Sequence, residues 1–395
     1  MKIPSPDGRQ EILIARRNQK MARSPHGYVR GNTAQYYEWL HSHRGQALPH
    51  GPAIWICGDC HLGNLGPLAD ADGHIAVQIR DFDQTVIGNP AHDLIRLGLS
   101  LAAAARSSSL PGIVTAHMLE HMMEGYELAL DTSKKRASIQ KPDLIKVAMR
   151  DADKRSWKAL AKERIVNTQP KIPLGKNFWP LSTSEKNAIS QLCETPAMLA
   201  LVTKLKSRDD DATIEVLDAA YWVKGCSSLG LLRYAVLLSV DGDGDCLIDV
   251  KQAVHATAPR YPHAGMPRDN ARRVVEGARL MSPALGERMI SQRFLEHGVF
   301  IRELLPQDLK IEIDQLNIDE ATLMARYLAY VVGCAHAGQM DDATRNSWRR
   351  ELKRDRSKTL ATPGWLWSSV VRLMASHEAG YLEHCRKYAL GVDGN

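Results

Sequence analysis

The chain has 395 residues, of which 44% are hydrophobic and 24% charged, a globular composition that excludes collagen-like, disulfide-scaffold and wholly disordered chains. At about 100–200 residues per domain, this length predicts two or three domains. Fifty-one basic residues against 45 acidic ones leave a net +6, enough to favour anionic ligands without amounting to a nucleic-acid signature.

The opening segment MKIPSPDGRQEILIARRNQK carries no apolar stretch followed by a small-residue cleavage site, and no apolar run approaches the roughly 18 residues that span a bilayer. Residues 7–44 read as helical, interrupted at Ser24-Pro-His-Gly27. Ala53–Cys57 is a short apolar run rich in β-formers, and in His74–Ile79 the residues Ile75, Val77 and Ile79 alternate as in a half-buried strand. Asp70-Ala-Asp-Gly73 between them is a turn signal. From Ala91 to Leu205 the pattern is helical. From Asp218 to about Ile313 it is mainly β, with one helix after Asp269-Asn270; beyond Leu316 it returns to helix. The expectation is an α+β protein in which a small β-rich lobe, residues 218–312, interrupts a larger helical lobe made of 1–217 and 313–395. Seven cysteines, an odd number scattered over the chain, match a reducing compartment, so the expected location is the cytoplasm.

The densest chemistry lies in Gly58-Asp59-Cys60-His61-Leu62-Gly63-Asn64, followed by Asp81-Phe82-Asp83. Asp59 comes just after an apolar strand, and a hairpin turning at Asp70–Gly73 returns Asp81 to the level of residues 62–64. Two carboxylates and an amide oxygen then converge, a donor set suited to Mg²⁺, which takes one or two carboxylates together with substrate phosphates. The β-rich part adds Gly225-Cys-Ser-Ser-Leu-Gly230 before a strand, Lys251 at the end of another, and Glu276 on the following helix. Leu231 and Leu232 stand where a P-loop needs Lys-Ser/Thr. A glycine turn, a strand lysine and a helical glutamate are the parts with which protein kinases hold ATP phosphates. An Asp-x-x-x-x-Asn loop and a later Asp-Phe supply their base and metal ligands.

Gly58-Asp59-x-His61-x-x-Asn64 resembles the catalytic loop of aminoglycoside-phosphotransferase-like kinases, and Ile79-Arg-Asp81-Phe82 with Gly88-Asn-Pro90-x-x-Asp93 resembles their metal-binding strand end. Together with Ser24–Gly31, Gly225–Gly230, Lys251 and Val275-Glu276-Gly277, these motifs are similar, over roughly residues 8–340, to the bacterial family called domain of unknown function 2252. The resemblance implies a protein-kinase-like two-lobe fold whose catalytic loop precedes its glycine loop, the order of a circular permutation. It also implies a Mg²⁺/ATP-dependent phosphotransferase with Asp59 as base. Asn64, Asp81 and Asp83 would hold magnesium. Gly225, Ser227, Ser228, Gly230 and Lys251 would hold ATP, with Glu276 fixing the lysine. Arg30, His61 and Arg96 would support substrate or loop, and Asp93 would brace the loop rather than perform chemistry. Asp83 in place of the usual glycine and a loosely spaced glycine loop leave room for nucleotidyl transfer, or for a nucleotide- or nucleic-acid-binding pseudokinase. The acceptor and the oligomeric state are not legible.

Cys57-Gly-Asp-Cys60-His61 imitates a c-type haem site and supplies three possible zinc ligands. Haem attachment conflicts with a cytoplasmic location, and zinc would displace Asp59 and lacks a nearby fourth ligand. Asp241–Asp245 imitates the start of an EF-hand loop but reads as a polar hairpin turn. The run Arg345–Lys358, seven basic residues against two acids, reads as a solvated helix face rather than a nucleic-acid dock.

Overall fold

The structure is a computed structural model that describes residues 4–42, 48–132, 139–155, 171–242, 244–309, 311, 317–354 and 362–388. It is a mixed α+β protein. Helix α1 (Arg9–Ala22) leads into α2 (Pro25–Gly31) and α3 (Thr33–Ser42). The break expected at 24–27 is an N-cap: the Ser24 hydroxyl accepts from the Gly27 amide, and Pro25 sits in the first turn, where its missing N–H costs nothing.

Two short antiparallel pairs follow. Strand β1 (Ile54–Ile56) pairs with β4 (Val86–Gly88), and β2 (Leu65–Ala69) pairs with β3 (Ile75–Ile79) in the register Leu65 to Ile79. The β2–β3 turn is locked because Asp70 Oδ1 accepts from the amides of Asp72 and His74. Helix α4 (Pro90–Ser107), capped by the Asn89 side chain, is buried along nearly its whole length and forms the axis of the helical part. Around it pack α5 (Gly112–Ala129) and α6 (Asp143–Lys154), together with the C-terminal helices α11 (Ile318–Ala337), α12 (Asp342–Lys353) and α13 (Gly364–Tyr388). Helices α5 and α11 touch backbone to backbone. A Cβ on Gly125 would lie 1.9 Å from the Arg326 carbonyl oxygen, so only glycine permits that approach.

The second body is a six-stranded antiparallel sheet in the order β5-β6-β7-β8-β10-β9. Its strands are β5 (Phe178–Trp179), β6 (Ile214–Trp222), β7 (Arg233–Val240), β8 (Gly244–Gln252), β9 (Met289–Phe294) and β10 (His297–Leu304). Helix α7 (Thr183–Cys193) and α8 (Pro196–Val202) precede β6, while α9 (Asn270–Met281) and the one-turn α10 (Pro283–Gly286) lie between β8 and β9. The β7–β8 connection is the polar turn expected at 241, with both Asp241 and Gly242 at positive φ.

The sheet-bearing part is larger than residues 218–312. The boundary at 218 cuts β6, and the core on one sheet face joins Tyr234, Val236, Ile248 and Ile301 to Trp179, Ile189, Met198 and even Leu13. Helical periodicity in 183–202 concealed this, because it reports an apolar face and not the partner that covers it. Burying each such Leu or Ile side chain contributes about 1.5–3 kcal/mol. Among the described residues no helix is long and apolar enough to cross a membrane.

Candidate functional site

A cleft of about 840 Å³ separates the helical part from the sheet, with the loop after β1 as its floor. That loop needs its glycine. Gly58 has φ +75°, and a Cβ there would stand 2.1 Å from the Gln84 carbonyl oxygen. Fully buried Asp93 braces the turn, its two oxygens accepting from the amides of Cys57 (2.7 Å) and Gly58 (2.9 Å). Behind Asp93 runs a buried relay. Trp348 Nε1 donates to the Tyr126 hydroxyl (3.0 Å), which lies 2.9 Å from His336 Nδ1, while His336 Nε2 lies 3.2 Å from Asp93. With its oxygen occupied by Trp348, the tyrosine donates to Nδ1, so Nε2 carries the proton toward Asp93.

Asp59 lines the cleft. Its Oδ1 accepts from Arg96 Nε at 2.9 Å, and Arg96, wholly buried, is anchored by donating to the Val29 carbonyl. Burial pushes the Asp59 carboxyl up, opposed by the Arg96 charge. His61 Nε2 is 3.9 Å from Asp59 Oδ2, and its Nδ1 is buried without a partner. Burial, followed by the charges of Arg30 and Arg96, drives its pKa well below the usual value, so this imidazole is neutral at pH 7.

The hairpin closes as expected. The Arg80 amide donates to the Asn64 carbonyl, and Asn64 Nδ2 donates to the carbonyls of Asp81 (3.0 Å) and Asp59 (3.3 Å). With its nitrogen held inward, Asn64 keeps Oδ1 as the atom available to a ligand. Asp81 is 51% exposed to the cleft. Enclosure by protein raises its carboxyl, and Lys251, Arg302 and Arg233 outweigh that effect, holding it below the usual carboxylate range. Asp83 goes the other way, pushed up to about 6 by burial and then by Asp81, against the attraction of Lys251.

Lys251, at the end of β8, is buried behind the two carboxylates, bonded to Asp83 Oδ2 and 3.7 Å from Asp81 Oδ1. Glu276 does not reach it. That carboxylate pairs with Arg272 one turn away on α9 (2.8 Å), and Asp83 takes the expected place beside the lysine. Helix α9 acts through Arg273 instead, which donates to the backbone carbonyls of Asp83, Thr85 and Val254. The 225–230 turn is brought in only in part: Gly225, Cys226, Ser227 and Ser228 line the cleft, whereas Gly230 lies against Gln10 on α1.

Arg233, Asp249 and Arg302 escaped the sequence reading. Buried Asp249 accepts from Arg233 at 2.8 and 2.6 Å and from Arg302 at 3.1 Å, and both guanidinium groups line the cleft. Their signal was period two: Asp249 and Lys251 share one face of β8, Arg233 is opposite Lys251, and Arg302 is opposite Asp249. Cys57 and Cys60 are buried beside the loop; the hydrogen bond to Cys60, then burial, pushes the Cys57 thiol up, while for Cys60 the hydrogen bond to Cys57 lowers the pKa and burial raises it, with a net rise. Among the described residues, the His/Cys/Asp/Glu group close enough for an ion is Asp70, Asp72 and His74 at the exposed hairpin turn, outside the cleft. In the basic run, half-buried Arg349 pairs with Asp131 on the neighbouring segment and Arg354 with Glu351, and 355–358 lie outside the described residues.

No curated protein and no solved structure matches the chain. A family model described as "Uncharacterized protein conserved in bacteria (DUF2252)" matches residues 9–387, nearly the whole length and further toward the C-terminus than the motifs alone reached, and the chain belongs to that family.

Proposed function

We propose that the protein is a Mg²⁺/ATP-dependent phosphotransferase of circularly permuted kinase-like fold, acting on a hydroxyl-bearing acceptor. The observation that carries this reading is the convergence of three distant segments. Asp59, Asn64 and Asp81 line one cleft beneath a glycine turn, and the β8 lysine lies directly behind Asp81, held against Asp83. Kinases hold ATP phosphates with a glycine-rich loop and a lysine on the third strand. Here the glycine turn joins β6 to β7, and Lys251 stands on β8, the third strand of the same meander.

The oxygen donors fit a hard divalent cation. Asn64 presents Oδ1, Asp81 is held ionised, and Asp83 Oδ1 is buried without a partner. Asn64, Asp81 and Asp83 would hold Mg²⁺ there, and the ion would supply positive charge against the charge developing on the phosphates. The chain's own residues supply the rest. Asp59, oriented by Arg96, takes the proton of the acceptor hydroxyl as its oxygen forms the new P–O bond. The bond from the γ-phosphorus to the β,γ-bridging oxygen breaks, and ADP leaves with that oxygen. Arg233 and Arg302 offset the phosphate charge from the sheet side, and neutral His61 adds no charge beside the base. The two arginines share one aspartate, so the pair retains positive charge.

Binding of a nonhydrolysable ATP analogue with Mg²⁺, read by calorimetry, tests the reading. Wild type binds, and Asp81→Asn weakens binding at least tenfold while retaining the wild-type far-UV circular dichroism. No binding by wild type, or equal binding by the variant, refutes it. Mass spectrometry of cell extract incubated with ATP separates a gain of phosphoryl from a gain of nucleotidyl.

A further inference from the structure

Away from the cleft, a groove of about 470 Å³ runs along strand β3, and the two share no lining residue among those described. All five β3 residues line it, together with Tyr327 and Val331 of α11, Met149 of α6 and Leu280 near the end of α9. Leu280 is 53% exposed. The register of the hairpin decides what the groove lacks. The Asp70 amide donates to the His74 carbonyl, and the Arg80 amide to the Asn64 carbonyl. Hydrogen-bonded pairs in an antiparallel ladder recur at every second residue. Ala76 and Gln78 therefore bond to β2, while Ile75, Val77 and Ile79 turn their N–H and C=O groups to the open side. Among the described residues these outward groups have one partner, the Ser282 hydroxyl, which donates to the Ile79 carbonyl at 2.7 Å. Val77 is nevertheless buried. Largely apolar walls thus enclose a row of unused backbone donors and acceptors, the row that a neighbouring strand would satisfy.

One cation lines the groove. The Lys141 ammonium lies 3.7 Å from Met149 Sδ and forms no ion pair among the described residues, since the nearby carboxylate of Asp143 is taken by Lys146 at 2.8 Å. We propose that the groove docks an extended apolar peptide segment of a partner protein, which adds to the hairpin as a third strand along β3 and sets an acidic side chain against Lys141. Main-chain hydrogen bonds to Ile75 and Val77 hold the segment, and its apolar side chains cover Leu280, Tyr327 and Val331. A strand rises about 3.3 Å per residue, so about four or five residues span the open edge. An acyl chain suits the walls but not the edge, because it would cut the Val77 amide and carbonyl off from water without replacing their hydrogen bonds. No residue of the nucleotide site enters the inference, which stands apart from the phosphotransferase reading.

The probe is a phage-displayed library of random twelve-residue peptides, panned on the full-length protein, with the enriched peptides synthesised and titrated by calorimetry. The expected peptides carry apolar residues and an acidic one. N-methylation of their backbone should weaken binding at least tenfold, and at alternate positions only, the period of a strand ladder. Leu280→Glu should weaken binding at least tenfold and Lys141→Glu at least threefold. Both side chains are exposed, so both variants keep the wild-type far-UV circular dichroism. Failure to enrich any peptide overturns the proposal, as do peptides that tolerate N-methylation throughout or bind both variants as they bind wild type. Two other occupants would equally overturn it. Dimerisation that Leu280→Glu abolishes gives the groove to a second copy of the chain, and dodecanoate binding weakened by both variants, in a protein that binds no peptide, gives it to an acyl chain.

Discussion

Replacing Asp93 by Asn tests whether the loop after β1 is held by a single buried carboxylate. Oδ2 accepts from the Cys57 amide and faces His336 Nε2, while Oδ1 accepts from the Gly58 amide. An asparagine oriented to keep the doubly engaged oxygen turns its NH₂ toward the Gly58 amide, donor against donor. The loss is one hydrogen bond to a charged acceptor, about 1.5–3 kcal/mol, plus the cost of a buried amide left unsatisfied, about 1–3 kcal/mol. The loop cannot rotate away, because Gly58 is wedged at φ +75° against the Gln84 carbonyl. The sum is about 2.5–6 kcal/mol, a range that brackets the roughly 3–5 kcal/mol expected for breaking a buried charge interaction. Urea unfolding at pH 7 measures it, followed by analogue binding in whatever fraction stays folded. A variant within about 0.5 kcal/mol of wild type, below the smallest of these terms, refutes the bracing role.

Gly58→Ala should cost about 3 kcal/mol or more, from a positive φ worth roughly 1–2 kcal/mol and a steric overlap with backbone that no rotamer relieves; chemical denaturation checks it. His377, buried on α13, has its pKa pushed down to about 4, by burial first and the Arg96 charge second. A folded pKa below the unfolded value of about 6.5 favours the neutral fold, so stability is complete above pH 6.5 and falls as pH drops toward 4. Between pH 7 and 5 this one group removes about 2 kcal/mol, and His377→Gln should flatten the stability–pH curve by that amount. Mg²⁺ affinity should rise with pH through about 6, the Asp83 pKa, because the cation prefers the carboxylate; Asp83→Asn should remove that dependence in a calorimetric titration at pH 5 to 7.5.

Local signals were enough where the physics was local. The Ser24 cap, the Asp70–Gly73 turn and the alternation of Ile75, Val77 and Ile79 are set by neighbouring residues, and the hairpin they specify carries Asp81 back to Asn64. The sequence by itself therefore determined the α+β class and the loop-plus-hairpin half of the site. Pairing across the fold was decided only by tertiary structure. Lys251 took Asp83 rather than Glu276: on α9 Arg273 reaches residues 83–85, while Glu276 is engaged one turn away by Arg272. Asp249 sits between two arginines that lie 69 positions apart in the chain, an arrangement set by strand register. The breadth of the sheet's core, reaching from Leu13 to Ile301, arises likewise from burial among distant segments. Lys251 and Asp83 lie 168 positions apart, so no local window of the sequence contains both.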